Sequence, residues 1–257
     1  MYFFKKVLLL SVSMVLFSLS AQASETCFIA KENGKILKSE GNCSLRLPPG
    51  CDFSIFLSII GFDSGVLKDE NNPEWSYNGE EAFLNAWKKR HTPRTWIVDS
   101  CVWYSGNIVE KVGFEKIKEY VTKFQYGNQD VTGINKSDWP GDLQVSPEEQ
   151  VEFLQKLVNK KLPVSDHAYQ MTEKVLFIQD FIGGWKLYGK TGVGEGVGEE
   201  RTGWFIGWIA KDKRRIPFVS SIVLRKKQDK IPSFIARSNA MEKLFWLINE
   251  LEHPNKG

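Results

Sequence analysis

The sequence has few of the residues that build metal sites. It contains four cysteines and three histidines among 257 residues, and no two cysteines form a C-x-x-C pattern. The histidines are scattered at His91, His167 and His253. Because structural zinc sites need closely spaced cysteine and histidine ligands, we expect no bound metal, and no motif indicates another cofactor.

A strong charge of either sign is also missing. The chain has 34 basic and 31 acidic residues and a net charge of +3. Such a chain has no global attraction to nucleic acid or to an anionic membrane, so neither partner is expected. A short basic run, 211–215, is predicted to be a solvated turn between strands. The oligomeric state is left open.

Long apolar runs are absent except near the N-terminus. Lys5 and Lys6 precede an apolar stretch at 7–19, which ends in Ala21-Gln22-Ala23. A basic start, a short apolar middle and an A-x-A end are typical of a secretory signal peptide, and the run is short for a membrane span. We therefore expect a signal peptide at 1–23, a single domain at 24–257, a periplasmic bacterial location and no stable membrane anchor after cleavage.

Export would permit disulfide bonds. Cys27 and Cys43 flank a predicted hairpin, which makes a bridge between them plausible. The residues alone leave three pairings of the four cysteines open. Cys51 is therefore either a free thiol or one half of a bridge to Cys101 or Cys43.

Periodicity predicts helices and strands in a mixed order. Strands are expected at 27–30, 35–38, 185–190, 203–210 and 217–224. Helices are expected at 51–62, 80–89, 102–112, 114–123, 166–177 and 234–251, and another begins at Ser146-Pro147-Glu148-Glu149, a capping box. Short turns between the late strands require antiparallel pairing. The sequence therefore predicts a mixed α/β (α+β) fold, an antiparallel sheet flanked by helices with an inserted helical region.

The segment 184–191 matches the phosphate-binding pattern G-x-x-x-x-G-K-T. That loop needs a preceding strand and a helix that begins at its lysine. Here the interior is itself strand-like, and the glycine-rich segment 192–198 follows, which does not begin a stable helix. A nucleotide site is therefore not expected. Lys190-Thr191-Gly192 instead matches the K-T-G signature of serine β-lactamases and penicillin-binding proteins.

Other motifs make this likeness more specific. They are Ser100-Cys101-Val102 (S-x-V), Tyr126-Gly127-Asn128 (Y-G-N), the stretch from Trp139 to Gln150 (W…L…S-P-x-E-Q) and G-W-F-I-G-W at 203–208. In their order and spacing, residues 27–251 resemble the class D β-lactamases. The resemblance implies the β-lactamase/penicillin-binding transpeptidase-like fold and a β-lactam or peptide carboxylate as ligand.

The same resemblance implies roles for individual residues. Ser100 and Lys190 would be catalytic, and the substrate-binding set would be Val102, Trp139, Thr191, Gly192 and Arg237. Arg237 is expected just before the final helix, where the family places an arginine that binds the β-lactam carboxylate. Plainer roles remain open: Ser100 as a helix cap, Trp139 and Tyr126 in the core, and Arg237 paired with an acid such as Glu242.

The sequence departs from the family at its S-x-x-K motif. Cys51 and Ser54 stand where the family has its nucleophilic serine and its lysine, and the ungapped match at 61–65 supports this register. In the family the lysine is carbamylated and acts as the general base for acylation and deacylation. Ser54 cannot replace it, and losing a general base costs about 10²- to 10⁴-fold per step.

Cys51 compensates for this loss in part. A thiol at a helix N-terminus needs less activation than a hydroxyl, although Asp52 beside it opposes ionisation. Both residues are therefore retained as candidate catalytic positions. The favoured hypothesis is a protein that binds penicillin-like ligands with weak or lost hydrolysis. The alternatives are an active β-lactam hydrolase that uses Cys51 and a non-catalytic envelope protein.

Overall fold

The computed structural model describes residues 25–79, 82–136, 140–196, 198–225 and 231–253. The strands are β1 (Glu25–Glu32), β2 (Lys35–Gly41), β3 (Phe177–Asp180), β4 (Lys186–Glu195), β5 (Arg201–Lys211) and β6 (Arg214–Leu224). The helices are α1 (Ser54–Asp63), α2 (Pro93–Asp99), α3 (Val102–Val112), α4 (Phe114–Phe124), α5 (Pro147–Val158), α6 (Asp166–Leu176) and α7 (Pro232–Glu252).

The described strands form one sheet in the order β2-β1-β6-β5-β4-β3, and every neighbouring pair is antiparallel. The prediction of an antiparallel sheet with an inserted helical region is therefore confirmed. The K-T-G segment lies in β4, whose pairing with β5 runs from Lys186 to Glu195. No helix begins at Lys190, so the context of a phosphate-binding loop is missing, as expected.

Two hydrophobic cores cover the two faces of the sheet. Trp204 and Ile206 of β5 belong to the core shared with the inserted helices. Phe205 and Ile209 of the same strand pack with α7, for example with Leu244. Because neighbouring side chains of a strand point to opposite faces, a strand between two layers of helices is apolar almost throughout. This explains why β5 is buried along nearly its whole length.

The apolar segment that begins at Cys51 forms a short 3-10 helix, Cys51–Phe53, which continues into α1. All residues of α1 from Ser54 to Phe62 are buried. A helix that is apolar on all sides is stable only inside a protein. Phe53 and Phe56 stack on each other and both contact the ring of Tyr126. Tyr126 therefore lies in the core, which is the structural role that the sequence analysis left open for it.

The helix start predicted at Ser146 is confirmed in atomic detail. The Ser146 hydroxyl accepts a hydrogen bond from the Glu149 N–H at 3.2 Å, and the Glu149 carboxylate accepts one from the Ser146 N–H at 2.9 Å. This reciprocal pair is a capping box, with Pro147 at the first helical position. The Glu149 carboxylate also accepts hydrogen bonds from Arg46.

The structure differs from the sequence interpretation at three local elements. The helix expected at 80–89 is absent from its described part, 82–89, which contains only the 3-10 turn Asn85–Trp87. Phe83 is 88% exposed there, so its apolar character does not mark a buried helical face. The sequence interpretation also missed α2, which Thr92 caps, and it missed β3. Phe177 leaves the helix expected at 166–177 and pairs with Tyr188 in the sheet, because tertiary pairing overrides a local periodicity.

The cysteines adopt one of the three possible pairings. Cys27 and Cys43 form a disulfide with a Cα–Cα distance of 5.1 Å, which lies in the usual range. Cys51 and Cys101 are free thiols. The predicted signal peptide at 1–23 lies outside the described residues. Among the helices of the described ranges, none is both long and apolar enough to cross a membrane.

Candidate active site

Lys190 and Ser100 come from distant parts of the chain and meet at one point. The Lys190 ammonium donates hydrogen bonds to the Ser100 Oγ at 2.5 Å and to the Thr191 carbonyl at 2.9 Å. Ser100 ends α2 in the left-handed conformation, with φ 53° and ψ 45°. Ser100 is therefore the C-terminal cap of α2 and does not open the next helix, whose N-cap is Cys101.

Lys190 is only 4% exposed. Burial lowers the pKa of its ammonium, because a charged group loses its hydration inside a protein, while the neighbouring Cys51 and Asp52 raise that pKa. The site therefore holds a buried amine whose charged state depends on two acidic neighbours.

Cys51 begins the 3-10 helix that leads into α1, and its thiol is free. Burial raises the pKa of this thiol, Lys190 lowers it, and the adjacent Asp52 raises it. Because burial is the largest of these effects, the thiol is predominantly protonated at neutral pH. Cys51 is therefore a less active nucleophile than the helix N-terminus alone would suggest.

Asp52 is the functional candidate that the sequence analysis missed. Its side chain is fully buried. Its Oδ1 accepts a hydrogen bond from the Gly50 N–H at 2.7 Å, and its Oδ2 accepts one from the Gln150 amide at 3.0 Å. The Tyr126 hydroxyl donates to the same Gln150 at 3.0 Å. The available signal was an acidic residue inside an otherwise apolar helical segment.

Burial raises the pKa of Asp52 to about 6, although the backbone N–H groups of Gly50 and Asp52 and the charge of Lys190 act in the opposite direction. The carboxyl group is thus poised to change its charge in a weakly acidic solution. Such perturbed groups cluster at functional sites, although buried structural networks also produce them.

The K-T-G strand packs tightly against the turn that holds Cys51. A Cβ atom on Gly192 would lie 2.1 Å from Asp52 Oδ1, and one on Gly50 would lie 2.1 Å from the Val193 carbonyl oxygen. Glycine is required at both positions because any side chain would displace backbone or a buried carboxylate. Gly192 therefore has a clear packing role beside its expected role in substrate binding.

Ser54 is 1% exposed and lies one helical turn after Cys51. A hydroxyl has no ionisable proton near neutral pH. The position that the resemblance assigns to the general base therefore holds a neutral group. Asp52, on the preceding turn, is the buried carboxylate nearest to it in sequence.

A cavity of about 330 Å³ lies beside β4, within the usual size range of small-molecule sites. Lys190, Thr191 and Arg237, three residues to which the resemblance assigns a role, line it together with Arg94, which the sequence analysis did not consider. Its apolar wall includes Ile97, Val98, Phe177, Ile178 and Phe205. Cys51 instead packs against the core on the helical side of the sheet.

Arg237 lies inside α7 and not before it, which corrects the sequence interpretation. Its guanidinium stands over the Phe205 ring, 5.8 Å from the centroid, a favourable cation–π geometry. Among the ion pairs of the described residues, none joins Arg237 to Glu242. Val102 is the first residue of α3 and packs against the helical core. Trp139 lies outside the described residues.

No group of three or more histidine, cysteine, aspartate or glutamate side chains suited to a metal ion occurs within the described ranges.

Comparison with known proteins places these features in context. Residues 26–238 match the family model of the penicillin binding protein transpeptidase domain. The chain is 34% identical to "Beta-lactamase OXA-1" of Escherichia coli over 233 residues, which cover 86% of this chain and 84% of the relative. It is also 34% identical to "Beta-lactamase OXA-9" of Klebsiella pneumoniae, with 88% and 92% covered. The solved structure of the class D β-lactamase OXA-427 is similar, with a TM-score of 0.79 and 34% identity over 88% of this chain and 99% of that one.

Proposed function

This chain belongs to the class D β-lactamase family, and on that premise we propose that it binds penicillin-like ligands and hydrolyses them weakly or not at all. The cavity beside β4 is the proposed binding site. The ligand carboxylate would lie near Thr191 and Arg237, which both line this cavity. Arginine is well suited to bind a carboxylate through two parallel hydrogen bonds.

One observation supports the proposed loss of hydrolysis more than any other. Where the family has its base, this chain has Ser54, a buried neutral residue. The nearby carboxylate of Asp52 is already engaged by Gly50 and Gln150 and is fully buried. A general base must reach the proton that it removes, and a carboxylate enclosed in this way has no open path to a water molecule.

The first half of the reaction would begin at Cys51, which is outside the cavity lining but interacts electrostatically with Lys190, a lining residue. The Cys51 thiol would give its proton to the amine form of Lys190 while its sulfur attacks the β-lactam carbonyl carbon, the ring C–N bond would break, and the ring nitrogen would take up a proton. Ser100 and Lys190, joined by their 2.5 Å hydrogen bond, are placed to supply that proton. The product is a thioester on Cys51. Its hydrolysis needs an activated water molecule, for which this site offers no exposed base.

A second candidate function is that of an active β-lactam hydrolase that uses Cys51 and confers antibiotic resistance. The observation in its favour is the proximity of Lys190, whose charge lowers the pKa of the Cys51 thiol. It requires that either Lys190 or Asp52 opens towards water during turnover. The proposed location for either function is the periplasm, after removal of residues 1–23, and this rests on the signal-like segment alone.

Intact-mass spectrometry before and after incubation with benzylpenicillin tests the proposal, with the drug recovered from the same tube. A persistent added mass on Cys51, or bound and intact drug, supports a binding protein that hydrolyses little. Rapid conversion of the drug, with turnover abolished in Cys51→Ala, supports the second candidate. Absence of binding, reaction and product together would overturn both. Cys101→Ala is the matched control because Cys101 is also a free thiol but is fully buried.

A further inference from the structure

The cavity beside β4 carries a positive charge that a single carboxylate does not balance. Its lining contains Arg94, Lys190 and Arg237, and no acidic residue is among the lining residues of this described cavity. Lys190 already interacts with Ser100 and with the nearby Asp52. The two arginines line a partly open cavity, in which a charge interacts more strongly than it does in bulk water.

Arg94 is held in place by Val175, which also lines the cavity. It belongs to the first turn of α2, and its Nη1 donates a hydrogen bond to the Val175 carbonyl in α6 at 2.6 Å. Since a guanidinium has five N–H donors, this contact fixes the group and leaves other donors available. A fixed arginine loses less entropy when it binds an anion than a free one would.

Glu70 contacts Arg94 only through its backbone, because its carboxylate forms an ion pair with another residue. The Arg94 N–H donates to the Glu70 carbonyl at 2.9 Å. The Glu70 carboxylate, however, pairs with Lys174 at 2.9 Å, and this contact lowers its pKa. No ion pair between described residues involves Arg94. Its charge is therefore open to a ligand.

We propose that this cavity binds dianionic ligands, in which one carboxylate lies near Arg237 and Thr191 and a second, on the other end of an apolar body, binds Arg94. The inference rests on the proposed function, because it takes the first carboxylate site from it. It adds the class of ligand: a β-lactam or peptide with an anionic group on its side chain. Arg94 is then a specificity-determining residue.

Two penicillins that differ by one carboxylate test the inference. Benzylpenicillin has a single carboxylate, and carbenicillin carries a second one on its side chain. Calorimetry with the full chain carrying Cys51→Ala measures reversible binding, since no thioester forms. We expect carbenicillin to bind about ten-fold more tightly or better, which is the usual value of a hydrogen bond to a charged group. The side-chain methyl ester of carbenicillin should lose this advantage.

Substitutions assign the effect to Arg94. Arg94→Gln should remove most of the preference for carbenicillin over benzylpenicillin, and Arg94→Lys should keep part of it. Arg90→Gln is the matched control, because Arg90 is exposed and pairs with Glu74 away from the cavity. The comparison of carbenicillin with its methyl ester uses the protein that retains Arg94. It therefore tests the inference even if the Arg94→Gln variant does not fold.

The outcomes separate the two proposals. Binding of benzylpenicillin without any preference for carbenicillin overturns the dianion inference and leaves the proposed function intact. A preference that survives Arg94→Gln, or that the methyl ester retains, also overturns the inference. If neither penicillin binds, the proposed function fails, and the inference fails with it.

Discussion

Asp52 and Gly192 are in such close contact that a single added carbon atom has no room between them. A Cβ atom on Gly192 would lie 2.1 Å from the Asp52 Oδ1 and 2.5 Å from the Asp52 nitrogen. This contact joins the K-T-G strand to the turn that carries Cys51. The geometry of the whole candidate site therefore depends on it.

Gly192→Ala should lower the free energy of unfolding by about 1–3 kcal/mol, the usual cost of overpacking a buried site. Asp52→Ala removes the carboxylate that meets the added carbon, so the double variant should lose less stability than the sum of the single variants. Urea unfolding of the four proteins checks this. Strictly additive losses would show that the two residues do not share this contact.

Replacement of Cys51 and Ser54, the two proposed departures from the family motif, should restore the family chemistry. In Cys51→Ser/Ser54→Lys, we expect penicillin hydrolysis to rise by about 10²-fold or more, since a general base is regained. The neighbouring Asp52 carboxylate would hold the new ammonium in its charged form, so adding Asp52→Asn should increase the rate further. Initial rates with a chromogenic cephalosporin measure this, with Cys51→Ser alone as the control. An unchanged rate in all three variants would show that the register of the motif is wrong.

The Asp52 carboxyl group should make the protein less stable as the pH rises. Its pKa is raised from 3.8 to about 6 in the folded chain, so the folded state binds this proton more tightly than the unfolded state does. The resulting stabilisation is complete below about pH 4 and is lost as the pH rises through about 6. Its size should be on the order of 1–3 kcal/mol.

Urea unfolding of the wild type and of Asp52→Asn over this pH window isolates that contribution. The free energy of unfolding of the wild type should fall relative to that of Asp52→Asn as the pH rises. A constant difference between the two proteins would mean that Asp52 keeps an ordinary pKa when folded.

The reactivity of Cys51 should depend on both charged neighbours. The alkylation rate with iodoacetamide should rise with pH with a midpoint above the ordinary thiol value of 9.0, because burial raises the pKa of Cys51. Asp52→Asn should lower this midpoint, and Lys190→Met should raise it, since each removes the charge of one neighbour. The other free thiol does not interfere, because burial raises the pKa of Cys101 to about 12. Midpoints that are the same in all three proteins would exclude electrostatic control of this thiol.

The sequence by itself determined the family, the order of the late strands along the chain and the residue at which α5 begins. These features are local or repeat at fixed spacing: the capping box at Ser146 needs only residues three apart, and the alternation within β5 follows from the period of a strand. The K-T-G motif and its neighbours also singled out Lys190, Thr191 and Arg237, which line one cavity in the fold.

Only the tertiary structure decided which residues act together. The burial of Asp52 depends on Gln150, 98 positions away, and on the close approach of Gly192. Arg94 faces the cavity because α2 forms where no helix was expected and packs against α6. Burial, charge and access to solvent result from contacts between distant segments, and local sequence patterns do not encode them. That is why the sequence could single out Cys51 and Ser54 as candidate altered positions, whereas the electrostatics around them and the second arginine of the cavity, Arg94, required the fold.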